Sequence, residues 1–238
     1  MGSEDLFKKR KAALASQLRR REANKTGKET VLIVCEGQKT EPVYLNALLR
    51  QLNLQQRVRL GEILVDDRKN GLDPSKLVER AIQLFFDKRA EGMTYDRVYC
   101  VFDKDCHTEY GSACNKINEQ PLRETRNGET RQLAEMIAIT SVPCFEVWLL
   151  LHFTDSSAPF YGSGNKTPCD HVIAKLKTYK GFENYQKRAP DAFEKTKDKL
   201  ETALTHAKRI WKQIPHNGDN PSTRIFELVT YLKEQASN

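Results

Sequence analysis

The sequence predicts an α/β protein: a mostly parallel four-stranded sheet flanked by helices, with a helical C-terminal part and a basic N-terminal helical arm. Three observations carry this. A continuous apolar run rich in β-branched residues lies at Val31 to Cys35, and mainly apolar strand candidates follow at Arg57 to Val65, Arg97 to Phe102 and Ala134 to Ile139. Between them the apolar residues fall at helical spacing. After His152 strand-like runs cease and helical patterns take over. Unbroken apolar runs mark strands buried on both faces, and strand–helix alternation supplies the crossovers that a parallel sheet needs.

Taken in order, residues 1–29 form the arm. Nine basic side chains there oppose four acidic ones, which accounts for most of the formal net charge of +7. Leu6, Phe7, Ala13, Leu14 and Leu18 give its helical stretch, about residues 6–24, a weak apolar stripe. Such an arm suits a polyanion, and a solvated helical tail has the same composition. The first strand, Val31 to Cys35, ends at Glu36-Gly37, and Thr40 caps a helix with Pro42 in its first turn. Asp73 or Ser75 opens the next helix, whose apolar face runs from Leu77 to Phe85. Residues 109–120 read as helical, 121–131 as a polar loop turning at Asn127-Gly128, and Pro143 as the start of a helix through Leu151. Residues 154–169 form a loop rich in Ser, Gly, Pro and Asn. Helices follow at about 170–180, 190–214 and 221–236.

The chain has 238 residues, 39% hydrophobic and 30% charged, enough to bury a core without disulfide staples. No run approaches the ~20 apolar residues of a membrane span, and no secretory leader is legible, so the expected location is cytoplasmic, with no membrane partner. The even count of six cysteines is therefore no argument for disulfides. With no Cys-x-x-Cys pair among them, a structural zinc site is not expected. Cys35 and Cys100 lie in apolar runs and read as small core residues.

Acidic residues mark the chemistry. Ligands of open α/β sheets bind beyond the carboxyl ends of the strands. Glu36 follows the first strand; Asp103 and Asp105 follow the third. Side chains at i and i+2 share a face of a strand, so both aspartates can enter one site. Three convergent carboxylates repel unless a proton or cation intervenes, and an all-oxygen set suits Mg²⁺ or Mn²⁺. Such an ion activates water and neutralises charge on a phosphate.

The run from Val31 to Gly37, together with Val98-Tyr99-Cys100-Val101-Phe102-Asp103-Lys104-Asp105, resembles the Toprim pattern of one strand ending in Glu-Gly and another in Asp-x-Asp. Finer text resembles the RloB-like branch: Glu36 to Leu45, Pro143 to Phe153, and Asn220-Pro221-Ser222-Thr223. The likeness spans about residues 30–236. It implies a Toprim-like catalytic domain over residues 30–155, with residues 156–238 as a helical segment packed on it. It also implies a Mg²⁺- or Mn²⁺-dependent nuclease in bacterial antiphage defence or abortive infection, beside an ABC-type or OLD-like ATPase. Glu36, Asp103 and Asp105 would be the metal ligands, and Glu41, Glu146 and Lys39 would join the catalytic set. The chain lacks the separate tyrosine-bearing domain of Toprim topoisomerases, so hydrolysis by water is the expected chemistry.

Lys104 and His107 follow the aspartates and are candidates to contact substrate; a surface lysine and an incidental loop histidine are the plainer readings. His152 and Trp148 read as packed core. The C-terminal basic residues, Lys187 among them, read as a solvated helix face, with a concave surface for RNA or DNA as the alternative. The expected substrate is nucleic acid, with RNA such as tRNA favoured over DNA because no duplex-reading module is present. A regulatory or nucleic-acid-binding subunit of a defence ATPase, and a nucleotidyl or phosphoryl transferase, are the rival functions. No P-loop is present, so this chain does not itself use one to hydrolyse ATP.

Overall fold

The computed structural model describes residues 29–37, 40–61, 73–105, 107–187, 189–213 and 220–237. The predicted arm up to residue 28, Lys39, and the second strand beyond Gly61 lie outside these. Strands β1 (Val31–Cys35), β2 (Val58–Gly61), β3 (Arg97–Asp103) and β6 (Glu135–Val142) form the parallel sheet, in the order β2-β1-β3-β6. A two-residue strand, β7 (Ser222–Thr223), adds antiparallel to β6, with Ser141 opposite Thr223. In the parallel register Cys35 faces Val101, and Asp103 faces Ser141. The carboxyl ends of β1, β3 and β6 therefore finish at one edge.

The strands alternate strictly between two cores, because successive side chains leave a strand on opposite faces. Leu32, Val34, Val98, Cys100, Phe102, Met136 and Ala138 pack on one face against helices α2 (Pro74–Ala90) and α3 (Tyr110–Asn118). Val31, Ile33, Cys35, Tyr99, Val101 and Ile139 face the other way. There they meet helix α1 (Thr40–Gln51), α4 (Glu146–Leu150), α5 (Pro168–Leu176), α6 (Ala192–Thr196), α7 (Leu200–Gln213) and α8 (Ile225–Ser237). The C-terminal helices thus share one apolar core with the sheet, as a helical part packed onto it. Caps set the helix starts. The Asp73 side chain accepts from the Lys76 N–H at 3.0 Å. Thr167 and Asp170 form a reciprocal capping box at α5.

Several expectations need correction. Residues 121–131 are a hairpin rather than a loop: β4 (Arg123–Arg126) pairs antiparallel with β5 (Glu129–Gln132). Asn127 and Gly128 turn it with φ of 53° and 81°, the left-handed pair that a tight hairpin turn requires. All eight strand residues are exposed, so the apolar alternation that would have marked them is missing. Strand β6 runs on to Val142, and the following helix begins at Glu146 rather than Pro143, which follows a cis peptide bond. The helix expected over 190–214 is interrupted by a 3₁₀ turn, Lys197–Lys199, between α6 and α7. The helix expected from 221 starts at Ile225, after β7. Cys144 and Cys169 are joined by a disulfide, with Cα atoms 5.8 Å apart, where the start of α4 meets the start of α5. Cys35 and Cys100 are buried core residues, as expected.

A candidate acidic site at the sheet edge

The edge where β1 and β3 end is closed by backbone bonds that leave carboxylates behind. The Glu36 N–H donates to the Val101 carbonyl at 2.9 Å, extending the β1 ladder one residue beyond Cys35. The Asp103 N–H then donates to Glu36 Oε2 at 3.0 Å. The Lys104 N–H donates to Ser141 and the Asp105 N–H to the Pro143 carbonyl, both at 2.9 Å, which ties the Asp-x-Asp turn to the end of β6. Asp105 has φ 31° and lies in this turn, past the end of β3. Strand alternation therefore does not set its direction; the turn does.

Helix α1 brings Glu41 onto this edge. A Cβ on Gly37 would overlap the Glu41 carboxylate, with Cδ at 2.9 Å and Oε1 at 3.1 Å, so glycine is what allows that carboxylate to lie against the β1 turn. Helix α4 brings Glu146, the one charged residue among the described residues with almost no exposure (2%). Its Oε1 accepts from the Tyr185 hydroxyl at 3.0 Å, and its Oε2 lies 3.5 Å from Cys169 Sγ. The Phe145 N–H, at the start of the same helix, donates to Asp103.

These groups act on one another. Burial pushes the Glu36 carboxyl up to about 7. The Asp103 N–H pulls against that shift, and the charges of Asp105 and Asp73 add to it. Burial also pushes Glu41 up to about 7, assisted by Glu146 and Glu36. Asp103 is raised well above the usual carboxylate range by desolvation and by Glu41, Glu146 and Glu36. Like charges in a desolvated pocket favour protonation or a bound cation. Two basic side chains stand near them. His107 Nε2 lies 3.1 Å from Glu36 Oε1. Lys187 is an exposed residue whose ammonium is partly desolvated, which lowers its pKa. Glu146, Asp103, Asp105 and Glu41 raise it more, so the net shift is upward. Lys187 is surface, as the charge pattern reads it, and its place in the turn after Tyr185 also brings its ammonium within the electrostatic reach of the acidic groups.

The structure therefore gathers Glu36, Glu41, Asp103, Asp105, Glu146 and His107 at one edge. Lys104 places its ammonium 5.8 Å from the centre of the Tyr110 ring. Lys39 lies outside the described residues. His152 is core, as expected: its Nδ1 faces the carbonyls of Trp148 and Leu149, and Nε2 is 3.4 Å from the Tyr44 hydroxyl. Burial holds it neutral, with its pKa lowered to about 4. Tyr185, Lys187 and the cysteine pair were not legible as site residues, because nothing in the text links residues 144–146 to 169 and 185–187.

An all-oxygen, desolvated and mutually repelling donor set fits a hard divalent cation such as Mg²⁺ or Mn²⁺. Among the described residues, the oxygens of Glu36, Asp103 and Asp105 do not form a set within 4.8 Å of one another; the three groups that do are Cys144, Glu146 and Cys169. No helix among the described residues is long and apolar enough to cross a membrane. A family described as RloB-like protein matches residues 31–232. No curated protein and no solved structure matches the chain.

Proposed function

The chain belongs to the RloB-like family, and from that premise we propose that it is a Toprim-type, Mg²⁺- or Mn²⁺-dependent nuclease, cleaving RNA such as tRNA in preference to DNA, as an effector of bacterial antiphage defence working beside an ATPase. One observation carries the reading. Carboxyl groups from the ends of β1 and β3 and from the starts of α1 and α4 share one desolvated edge, where burial and mutual repulsion raise Glu36, Glu41 and Asp103 together. A site that holds like charges out of water is costly for folding alone, and such clusters concentrate where chemistry needs them.

In this reading Glu36, Asp103 and Asp105 would hold the ion, with Glu41 and Glu146 behind them. The bound ion would supply Lewis-acid stabilisation of the phosphate and a more acidic water. The chain's own groups do the rest. In the ion-free chain burial raises the Glu36 carboxyl to about 7, so Glu36 would either hold the ion or, if left free of it, accept a proton from water. His107, 3.1 Å away, can pass that proton on to solvent. Lys187 offers a fixed positive charge for a scissile phosphate. Tyr185 orients Glu146 through its 3.0 Å hydrogen bond.

The test is cleavage of labelled total tRNA, plasmid and linear DNA with Mg²⁺ or Mn²⁺, comparing the chain with Asp103→Asn. The expected result is metal-dependent cutting of tRNA that falls by about a hundredfold or more in the variant. Cutting of plasmid with tRNA left intact would move the substrate to DNA. No cutting of any polymer by folded protein, with the ATPase partner supplied, would favour a regulatory subunit.

A further inference from the structure

We propose that Cys144, Cys169 and Glu146 form a thiol-gated site for a soft divalent cation of the zinc class, closed while the two sulfurs are bonded to each other and opened by their reduction. The inference does not depend on the nuclease reading.

Three observations meet here. The ligand atoms of all three residues lie within 4.8 Å of one another, and all three residues are buried, at 0%, 2% and 2% exposure. Cys169 Sγ stands 3.5 Å from Glu146 Oε2. In a tetrahedral zinc centre, with Zn–S about 2.3 Å and Zn–O about 2.1 Å, sulfur and oxygen ligands stand about 3.6 Å apart, so this edge of the site already has the required length. The other Glu146 oxygen accepts from Tyr185 at 3.0 Å, the kind of outer hydrogen bond that fixes a ligating carboxylate.

The backbone holds the ligands in place. Cys144 leads into α4, two residues before Glu146, and Cys169 is the second residue of α5. Two thiolates and one carboxylate select zinc over magnesium, whereas the neighbouring all-oxygen groups suit a hard cation such as magnesium. Two chemically distinct cation sites would then share Glu146. Zinc at the sulfurs would withdraw that carboxylate from the acidic edge.

The gating step balances. A phosphine reductant and one water convert the disulfide to two thiols and are themselves converted to phosphine oxide. Zinc binding then releases the two thiol protons to solvent.

The experiment uses the full chain in two states, oxidised and phosphine-reduced, each equilibrated with Zn²⁺ or Co²⁺ and passed over a competing chelator. Retained metal is counted, thiols at positions 144 and 169 are counted by alkylation, and the fold is checked by circular dichroism. The expected result is stoichiometric zinc on the reduced chain only, lost on reoxidation. The cobalt form should show thiolate-to-metal charge-transfer absorption. Cys169→Ser removes both signals, whereas Glu146→Gln keeps the charge-transfer band and holds zinc more weakly. Reduced, folded protein with both thiols free and no retained zinc would overturn the proposal. So would equal retention by the oxidised chain or by Cys169→Ser. None of these readouts is cleavage, so the outcome is independent of the nuclease test.

Discussion

The two faces of the sheet use the same strands to opposite ends. Against α2 and α3, the inward residues from Leu32 to Ala138 meet an apolar layer with no fully buried charge among the described residues. Against α1, α4 and the C-terminal helices, the alternate residues meet a larger core in which Thr40, Glu146, His152 and Thr196 are buried. The acidic edge draws its helix-borne carboxylates, Glu41 and Glu146, from that second side alone. One face holds the strands in register; the other spends part of its packing on placing charge out of water, which Lys187 offsets in part and an ion or a proton would relieve further.

The sharpest way to break this division is a large truncation on the quiet face. Phe85 is buried on α2 at 1% exposure, and Phe85→Ala should destabilise the chain by about 3–5 kcal/mol in urea unfolding. Mn²⁺ affinity of the molecules that remain folded should be unchanged; a parallel loss would mean the faces are not independent. On the other face Glu146→Gln keeps an acceptor for Tyr185 but removes a buried charge. The cation-free variant should gain stability on the order of 1 kcal/mol, while Mn²⁺ binds about tenfold or more weakly by calorimetry. A destabilised variant with unchanged Mn²⁺ affinity would make Glu146 a structural residue. The smallest effect belongs to the exposed hairpin. Gly128→Ala forces φ of 81° on a residue with a Cβ, which costs about 1–2 kcal/mol locally. Faster hydrogen exchange should stay confined to residues 123–132, with the global melting midpoint unmoved.

What the sequence shows follows the same division. Strands buried on both faces announce themselves as unbroken apolar runs, so β1, β3 and the core of β6 are legible. Glu36 and Asp103 are legible because they are the first charges after such runs. The hairpin is not, because Arg123 to Gln132 pairs polar residues on both faces. Nor is the Cys144–Cys169 contact, since 25 residues and a loop separate two cysteines that only the packing of α4 on α5 brings together. Lys187 looks like any other surface lysine in the sequence; its nearness to the acidic groups depends on where the turn after α5 returns the chain. Asp105 reaches the right edge for a different reason from the one strand periodicity suggests, through a turn with positive φ.

Carboxylates at the acidic edge oppose folding when they ionise, and a bound cation would relieve them. Glu36 and Glu41 keep their protons up to about pH 7 in the folded chain, against about 4.3 when unfolded. Between those values the folded state binds more protons, so this contribution lowers stability as pH rises, and the loss is complete above the folded pKa. His152, lowered to about 4, slopes the other way up to its unfolded value, and comparison with Glu36→Gln cancels it. The direct measurement is the melting midpoint at pH 5 and pH 8, with and without Mn²⁺, for the chain and for Glu36→Gln. The chain should lose more stability than the variant between pH 5 and pH 8, and Mn²⁺ should restore it at pH 8 with little effect at pH 5. Equal pH dependence in both proteins, with no response to Mn²⁺ at pH 8, would contradict the account.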